Sequence, residues 1–316
     1  MPLSSTRFAC LSAALILGAC KLTTHPVQPS QLGTVSSSEA LLAVIDQPGP
    51  IQLETVNSAD WSIDRSGLIN LEHPKAKAAG LQEGMENIQI YFHALRHPER
   101  GLYIVDTGVE LSLRDDPQHA VVNGRVADAF GVERMKFHKP LAEFLKDANT
   151  PLRGVLLTHM HADHILGMPD VPDNATVYVG RGEASARALG NIVVQGITNH
   201  LFERKPALQE LHFQPDAGGR FDGVIDLFGD KSLWAIASPG HTPGSVAYLA
   251  RTTDGPVLMT GDTCHTAWGW QNEVEPGGFS VEPEKNVRNL KRLEQLVREH
   301  PAISVRLGHQ SLAKAP

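Results

Sequence analysis

Cysteine is scarce, with three residues in a chain of 316, at positions 10, 20 and 264. A disulfide framework is thereby excluded: Cys10 and Cys20 fall in an N-terminal apolar stretch, which leaves Cys264 alone, read as a small buried residue. Positive charge is also in deficit. Lys and Arg number 28 against 35 Asp and Glu, a formal net charge of −7, and no basic run interrupts the chain. Binding nucleic acid through its phosphates needs the opposite balance, so no nucleic-acid partner is expected. No G-x-S-x-G occurs, and no side-chain nucleophile is evident. Internal repeats are lacking. What the chain does have is 41% hydrophobic residues, which supports a proper core and excludes disordered and fibrous classes.

Arg7 precedes "FACLSAALILGAC", an apolar stretch of signal-peptide length that is too short to span a bilayer comfortably. It ends in Leu17-Gly18-Ala19-Cys20, which resembles the lipobox of bacterial lipoproteins. The resemblance implies that residues 1–20 are a lipoprotein-type signal and that Cys20 carries lipid after cleavage. Lys21 is not the aspartate that retains many lipoproteins in the inner membrane. The expected location is therefore the bacterial cell envelope, anchored to the outer membrane and facing the periplasm. Residues 21–40, rich in Ser, Thr, Pro and Gln, read as a flexible tether. From 41 to 316 the composition is that of one globular unit.

Periodicity predicts strands at 88–95, 101–108 and 153–159, then in "ATVYVG", "SLWAIAS", "SVAYLA", "GPVLMTGD" and "AISVRLGH". Residues 282–300 form an amphipathic helix, with Val287, Leu290, Leu293, Leu296 and Val297 on one face. Many strands mixed with few helices argue for a layered α/β fold. Asp106, His159, His241, Asp262 and His309 each lie at or just beyond the carboxyl end of a predicted strand. Rigid sheets present functional side chains at such ends.

The densest cluster is "THMHADH", which sets His159, His161, Asp163 and His164 within six positions. Imidazole and carboxylate are the donors that zinc and neighbouring transition metals prefer. The i, i+2 spacing of His159 and His161 lets one extended turn bring both rings to one ion. Asp163 and His164, further round the loop, point to a second. The cluster is incomplete alone, and His241, Asp262 and His309 are the candidates that complete it.

The ordered set THMHADH, SPGHTPGS, TGD and LGH, with "IVDTG" at 104–108, resembles the metallo-β-lactamase superfamily over about residues 85–310. The resemblance implies a four-layer αββα sandwich with a binuclear site at one edge, holding two divalent ions, with zinc expected. Carried over by position, His159, His161 and His241 would bind the first ion. Asp163, His164 and His309 would bind the second, and Asp262 would bridge them. Asp106 reads as a carboxylate that orients a ligand histidine.

That ligand set implies hydrolysis by a hydroxide bridging the ions, with Asp163 passing a proton to the leaving oxygen. The substrate is then a small molecule. Residues 272–297 are similar to the segment that N-acyl homoserine lactone lactonases carry there, so lactone or ester opening is the expected reaction. One departure stands out: those enzymes commonly place a tyrosine three residues after the bridging aspartate, where this chain has His265. His265 is therefore a second candidate catalytic residue, as a hydrogen-bond donor to an oxyanion, or else a solvated loop side chain. β-Lactamase and thioesterase activities of the same fold stay open, as do di-iron redox chemistry and a non-catalytic lipoprotein. Trp268, Trp270 and Phe279 either line an acyl pocket or pack into the core.

Overall fold

The computed structural model describes residues 20–188 and 191–312. Two mixed sheets face each other. The first runs in the order Val27–Pro29, Leu208–Glu210, Thr176–Val179, Leu152–Leu156, Gly101–Val105, Met85–His97, Gln52–Asp64, Lys136–Phe137. The second runs Ser304–Arg306, Gly255–Met259, Val246–Thr252, Leu233–Ala237, Val224–Asp226, Thr34–Ser36.

Strand alternation builds the layers. In Leu233–Ala237, Leu233 and Ala235 turn inward to a core shared with Leu95, Val105 and Leu156 of the first sheet. Trp234 and Ile236 turn the other way, onto Leu290, Leu293 and Leu296 of the helix Pro283–Glu299. The outer face of the first sheet, with Phe92, Ile104, Val155 and Val177, packs on Phe144 of the helix Leu141–Ala148. It also meets Leu201 and Phe202 of the helix Asn191–Phe202. Helix, sheet, sheet and helix make the expected four-layer αββα sandwich. Met160, Ile165 and Met168 are core residues, and so is Cys264. Among the described residues no helix is long and apolar enough to cross a membrane.

The tether expected at 21–40 is corrected. Cys20–Lys21 pairs with Arg187–Ala188, Val27–Pro29 pairs in parallel with Leu208–Glu210, and Thr34–Ser36 pairs with Val224–Asp226. Edge strands of this kind need only backbone partners, so a segment without an apolar face can still be built in. Val27, Gln28 and Pro29 are all exposed. Thr23 Oγ1 adds a 2.6 Å hydrogen bond to Asn199 Oδ1. The signal assigned to residues 1–20 lies outside the described residues except for Cys20, which is half-buried at the start of its strand.

A thirteen-residue strand, Gln52–Asp64, was not expected from periodicity. Its burial alternates only in part, because it pairs with Met85–His97 on one side and briefly with Lys136–Phe137 on the other.

Two parallel pairs set up the site. Gly101–Val105 and Leu152–Leu156 run side by side in the first sheet, so Asp106 and His159 emerge at the same edge. Gly255–Met259 and Ser304–Arg306 do the same in the second sheet for Asp262 and His309.

Candidate metal centre

Seven side chains, the first at position 159 and the last at 309, converge at that edge. His159, His161, His241 and Asp262 form one group of donors, and Asp163, His164, Asp262 and His309 form another. Within each group the donor atoms all lie within 4.8 Å of one another, and Asp262 belongs to both. Its Oδ2 stands 3.6 Å from His159 Nε2, 3.4 Å from His241 Nε2 and 3.3 Å from the Nε2 atoms of His164 and His309. His309 Nε2 is 3.2 Å from Asp163 Oδ2, and His241 Nε2 is 2.8 Å from His161 Nδ1. Donors about 2.1 Å from a common ion would have separations of this order.

Local structure aims these rings. Asp106 holds a positive φ of 58°, which an aspartate tolerates, and its carboxylate accepts from Thr158 N at 2.8 Å. Asp106 Oδ2 also accepts from Thr158 Oγ1 at 2.8 Å and from His164 Nδ1 at 2.7 Å. With its proton spent on Asp106, the Thr158 hydroxyl accepts from His159 Nδ1 at 3.1 Å. His309 Nδ1 donates to Gln89 O at 2.9 Å. Each such bond turns Nε2 to the centre. Gly308 admits Asp262: a Cβ there would lie 2.0 Å from Asp262 Oδ1.

Burial above all, and then neighbouring imidazoles, holds His159 and His241 well below the ordinary histidine value. Burial lowers His161 as well. The second group is ruled by its carboxylates. Burial opposes charge on His164, but Asp262, Asp106 and Asp163 outweigh it and raise the group well above its usual value. His309 is pushed up to about 10, burial again being overcome, here by Asp262 and Asp163. Against their own burial, nearby histidines hold Asp163 and Asp262 below the carboxylate range.

The donors fit a pair of cations. His159 Nε2 and Asp262 Oδ1 are buried with no hydrogen-bond partner, a costly arrangement unless something electron-poor meets them. Neutral imidazoles converge in one group, and the other calls for positive charge through its carboxylates. Nitrogen-rich, oxygen-containing sets of this type suit zinc and its neighbours.

A cavity of about 550 Å³ opens on the centre. His161, Asp163, His241, Asp262, His265 and His309 form its floor. Trp61, Ile63, Leu68, Ile88, Phe130 and Phe279 are among its apolar walls. Of the three aromatic candidates, only Phe279 lines it: Trp270 packs against the second-sheet core and Trp268 against the cluster around Trp61 and Ile88. His265 is not a solvated loop side chain. It is buried, with Nδ1 donating to Leu68 O at 3.1 Å and Nε2 3.0 Å from Asp262 Oδ2. Periodicity placed Ile88 at the start of a predicted strand without marking it as a wall residue, and Trp61 and Ile63 come from the strand Gln52–Asp64 that it did not predict. Glu183, buried beside the first group, was also missed.

A family model described as the metallo-beta-lactamase superfamily matches residues 89–309. The N-acyl homoserine lactonase AttM of Azorhizobium caulinodans is 29% identical over 238 residues, covering 72% of this chain and 86% of that protein. Among solved structures, the fold is similar to that of a quorum-quenching N-acyl homoserine lactone lactonase. The TM-score is 0.57 at 20% identity, over 84% of this chain and 93% of the other. It is also similar to AidC, a dizinc quorum-quenching lactonase, with a TM-score of 0.53 at 14% identity over 89% and 92% of the two chains. A match that takes in every donor of both groups, on the sandwich that brings them together, makes this chain a member of the metallo-β-lactamase superfamily.

Proposed function

We propose that the protein is a binuclear metal-dependent hydrolase that opens the ring of acylated lactones, as N-acyl homoserine lactone lactonases do. The observation that carries this reading is Asp262, shared by two donor groups on the floor of an apolar cavity. His159, His161 and His241 would hold one ion, Asp163, His164 and His309 the other, and Asp262 both, with zinc the ion that the donors favour. Two such ions, when bound, supply a hydroxide at neutral pH and polarise a carbonyl oxygen.

The chain's own residues do the rest. The apolar walls, Trp61, Ile63, Leu68 and Phe279, exclude water and take the acyl chain. Asp163, whose carboxylate keeps some exposure to the cavity, carries the proton to the leaving ring oxygen. His265 has Nδ1 committed to Leu68 O, which leaves Nε2 on the floor beside Asp262, at the sequence position where those lactonases carry a tyrosine. A homoserine lactone with an acyl tail matches both halves of this cavity, a polar floor and an apolar wall. The AttM relative supports the same class.

The test is turnover by purified, metal-loaded protein of acyl homoserine lactones, β-lactams, thioesters and phosphodiesters side by side. Lactones should lead by at least tenfold in kcat/KM, with activity removed by chelation and restored by zinc. Faster turnover of a β-lactam or thioester, or full activity without metal, would overturn the assignment.

For the chain's place in the cell, the reading is lipidation at Cys20 and attachment to the outer membrane, facing the periplasm. Leu17-Gly18-Ala19-Cys20 supports it. Mass spectrometry of the mature N-terminus tests it: unmodified Cys20, or an uncleaved leader, would refute it.

A further inference from the structure

Glu183 is fully buried and belongs to neither donor group. It sits in the turn after the strand Thr176–Val179. Its Oε1 accepts from Met160 N at 2.8 Å. Its Oε2 accepts from Thr242 Oγ1 at 2.7 Å and from Gly244 N at 2.9 Å. Met160 lies between His159 and His161, and Thr242 follows His241. One carboxylate thus joins the two loops that supply every histidine of the first group.

Packing makes the junction tight. A Cβ on Gly244 would lie 2.5 Å from Glu183 Cβ, and one on Gly180 would lie 1.8 Å from Gly244 O. Backbone pairing of Val246 N with Thr158 O, at 2.8 Å, holds the bases of the two loops, and Glu183 holds their tips. His164 and His309 take their orientation elsewhere, from Asp106 and Gln89.

We propose that Glu183 is a positioning residue for the first metal: it sets the spacing of His159, His161 and His241 by clipping their loops together. The proposal rests on the binuclear reading above. A carboxylate is required because three donors converge on it and it offers none in return. In glutamine, the amide NH2 would face Met160 N–H in one orientation and Gly244 N–H in the other, so either leaves a backbone donor unpaired.

Zinc titration against a competing chelator tests this on wild type, Glu183→Gln and Thr242→Val, with the cobalt-substituted absorption spectrum as a second readout. A His309→Ala background, short of one second-group donor, shows which constant belongs to which group. Loss of an orienting partner weakens metal affinity by about 10–100-fold. Glu183→Gln should show that loss at the first group only, with altered cobalt bands, and Thr242→Val a smaller loss at the same ion. Asp216 is the control, a buried carboxylate that accepts from Ser38 N at 2.8 Å and Phe221 N at 3.1 Å. Asp216→Asn should lower stability and leave both constants unchanged. Constants within threefold of wild type in both test variants would overturn the proposal, as would equal weakening of both ions. Should Glu183→Gln not fold, Thr242→Val decides alone. A wild-type protein that takes up no metal would instead refute the binuclear reading.

Discussion

Asp106 Oδ2 accepts from His164 Nδ1 at 2.7 Å, and through that bond the first parallel strand pair aims a ring contributed 58 residues later. The bond fixes the tautomer of His164, so its Nε2 faces Asp262 and His309. Asparagine at this position would keep the shape and lose the charge, and its amide would meet at least one donor head-on. Asp106→Asn is expected to weaken the second ion by about 10–100-fold and the first, which it reaches only through the Thr158 hydroxyl and His159, by less, read by chelator competition. Unchanged affinity would show that Asp106 serves folding only.

Asp262 and His309 should separate in metal content. Asp262 serves both groups and His309 only one. Asp262→Ala is expected to hold fewer than one ion per chain, and His309→Ala to keep about one. Elemental analysis after gel filtration measures this. Equal metal content in the two variants would contradict a shared aspartate.

Phe279 walls the cavity next to the floor, its ring edge-on to His265 with 6.5 Å between centroids. Its ring rests on Gly67, where a Cβ would come within 2.2 Å of it, and it is 38% exposed. Removing a partly buried aromatic costs about 1 kcal/mol of apolar contact. Phe279→Ala should therefore raise KM for acylated lactones roughly fivefold and leave KM for a lactone without an acyl chain unchanged. An equal change for acylated and unacylated lactones would place the acyl chain elsewhere.

Glu294 predicts a pH dependence unrelated to catalysis. Both its carboxylate oxygens are buried without a partner, on the core side of the helix Pro283–Glu299. Burial, with Glu273 adding repulsion, pushes its pKa up to about 7 from an ordinary 4.5. The folded state thus binds this proton more tightly than the unfolded state. The stability it contributes is complete below about pH 4.5 and lost as pH rises through 7. Glu294→Gln should stabilise the protein at pH 8 by about 1–2 kcal/mol, allowing for solvent screening, and change little at pH 5. Urea denaturation at the two pH values measures the difference, and an equal effect at both would refute the assignment.

Much of the centre was legible because its chemistry is written in short motifs. His159, His161, Asp163 and His164 are neighbours in sequence, and His241, Asp262 and His309 each follow an apolar strand. Residues 21–40 misled, since a polar edge strand carries no periodic apolar signal, although the backbone pairs as well there as anywhere. The cavity walls were illegible for a related reason. Trp61 and Ile88 lie opposite each other on paired strands, and only that pairing turns two scattered apolar residues into one surface.

The order and identity of donors were decided along the chain, because a metal ligand is recognised by its own atoms and by local spacing. Which atoms face inward was decided only in three dimensions. His265 shows the difference: its position after Asp262 raised the question, but the carbonyl of Leu68, 197 residues away, turns its Nε2 to the floor. Glu183 shows it more sharply, because a glutamate among arginines and glycines has no marked sequence, and its three partners come from two distant loops. Hydrogen bonds that orient a ligand depend on angles and ångströms, and only tertiary packing supplies those.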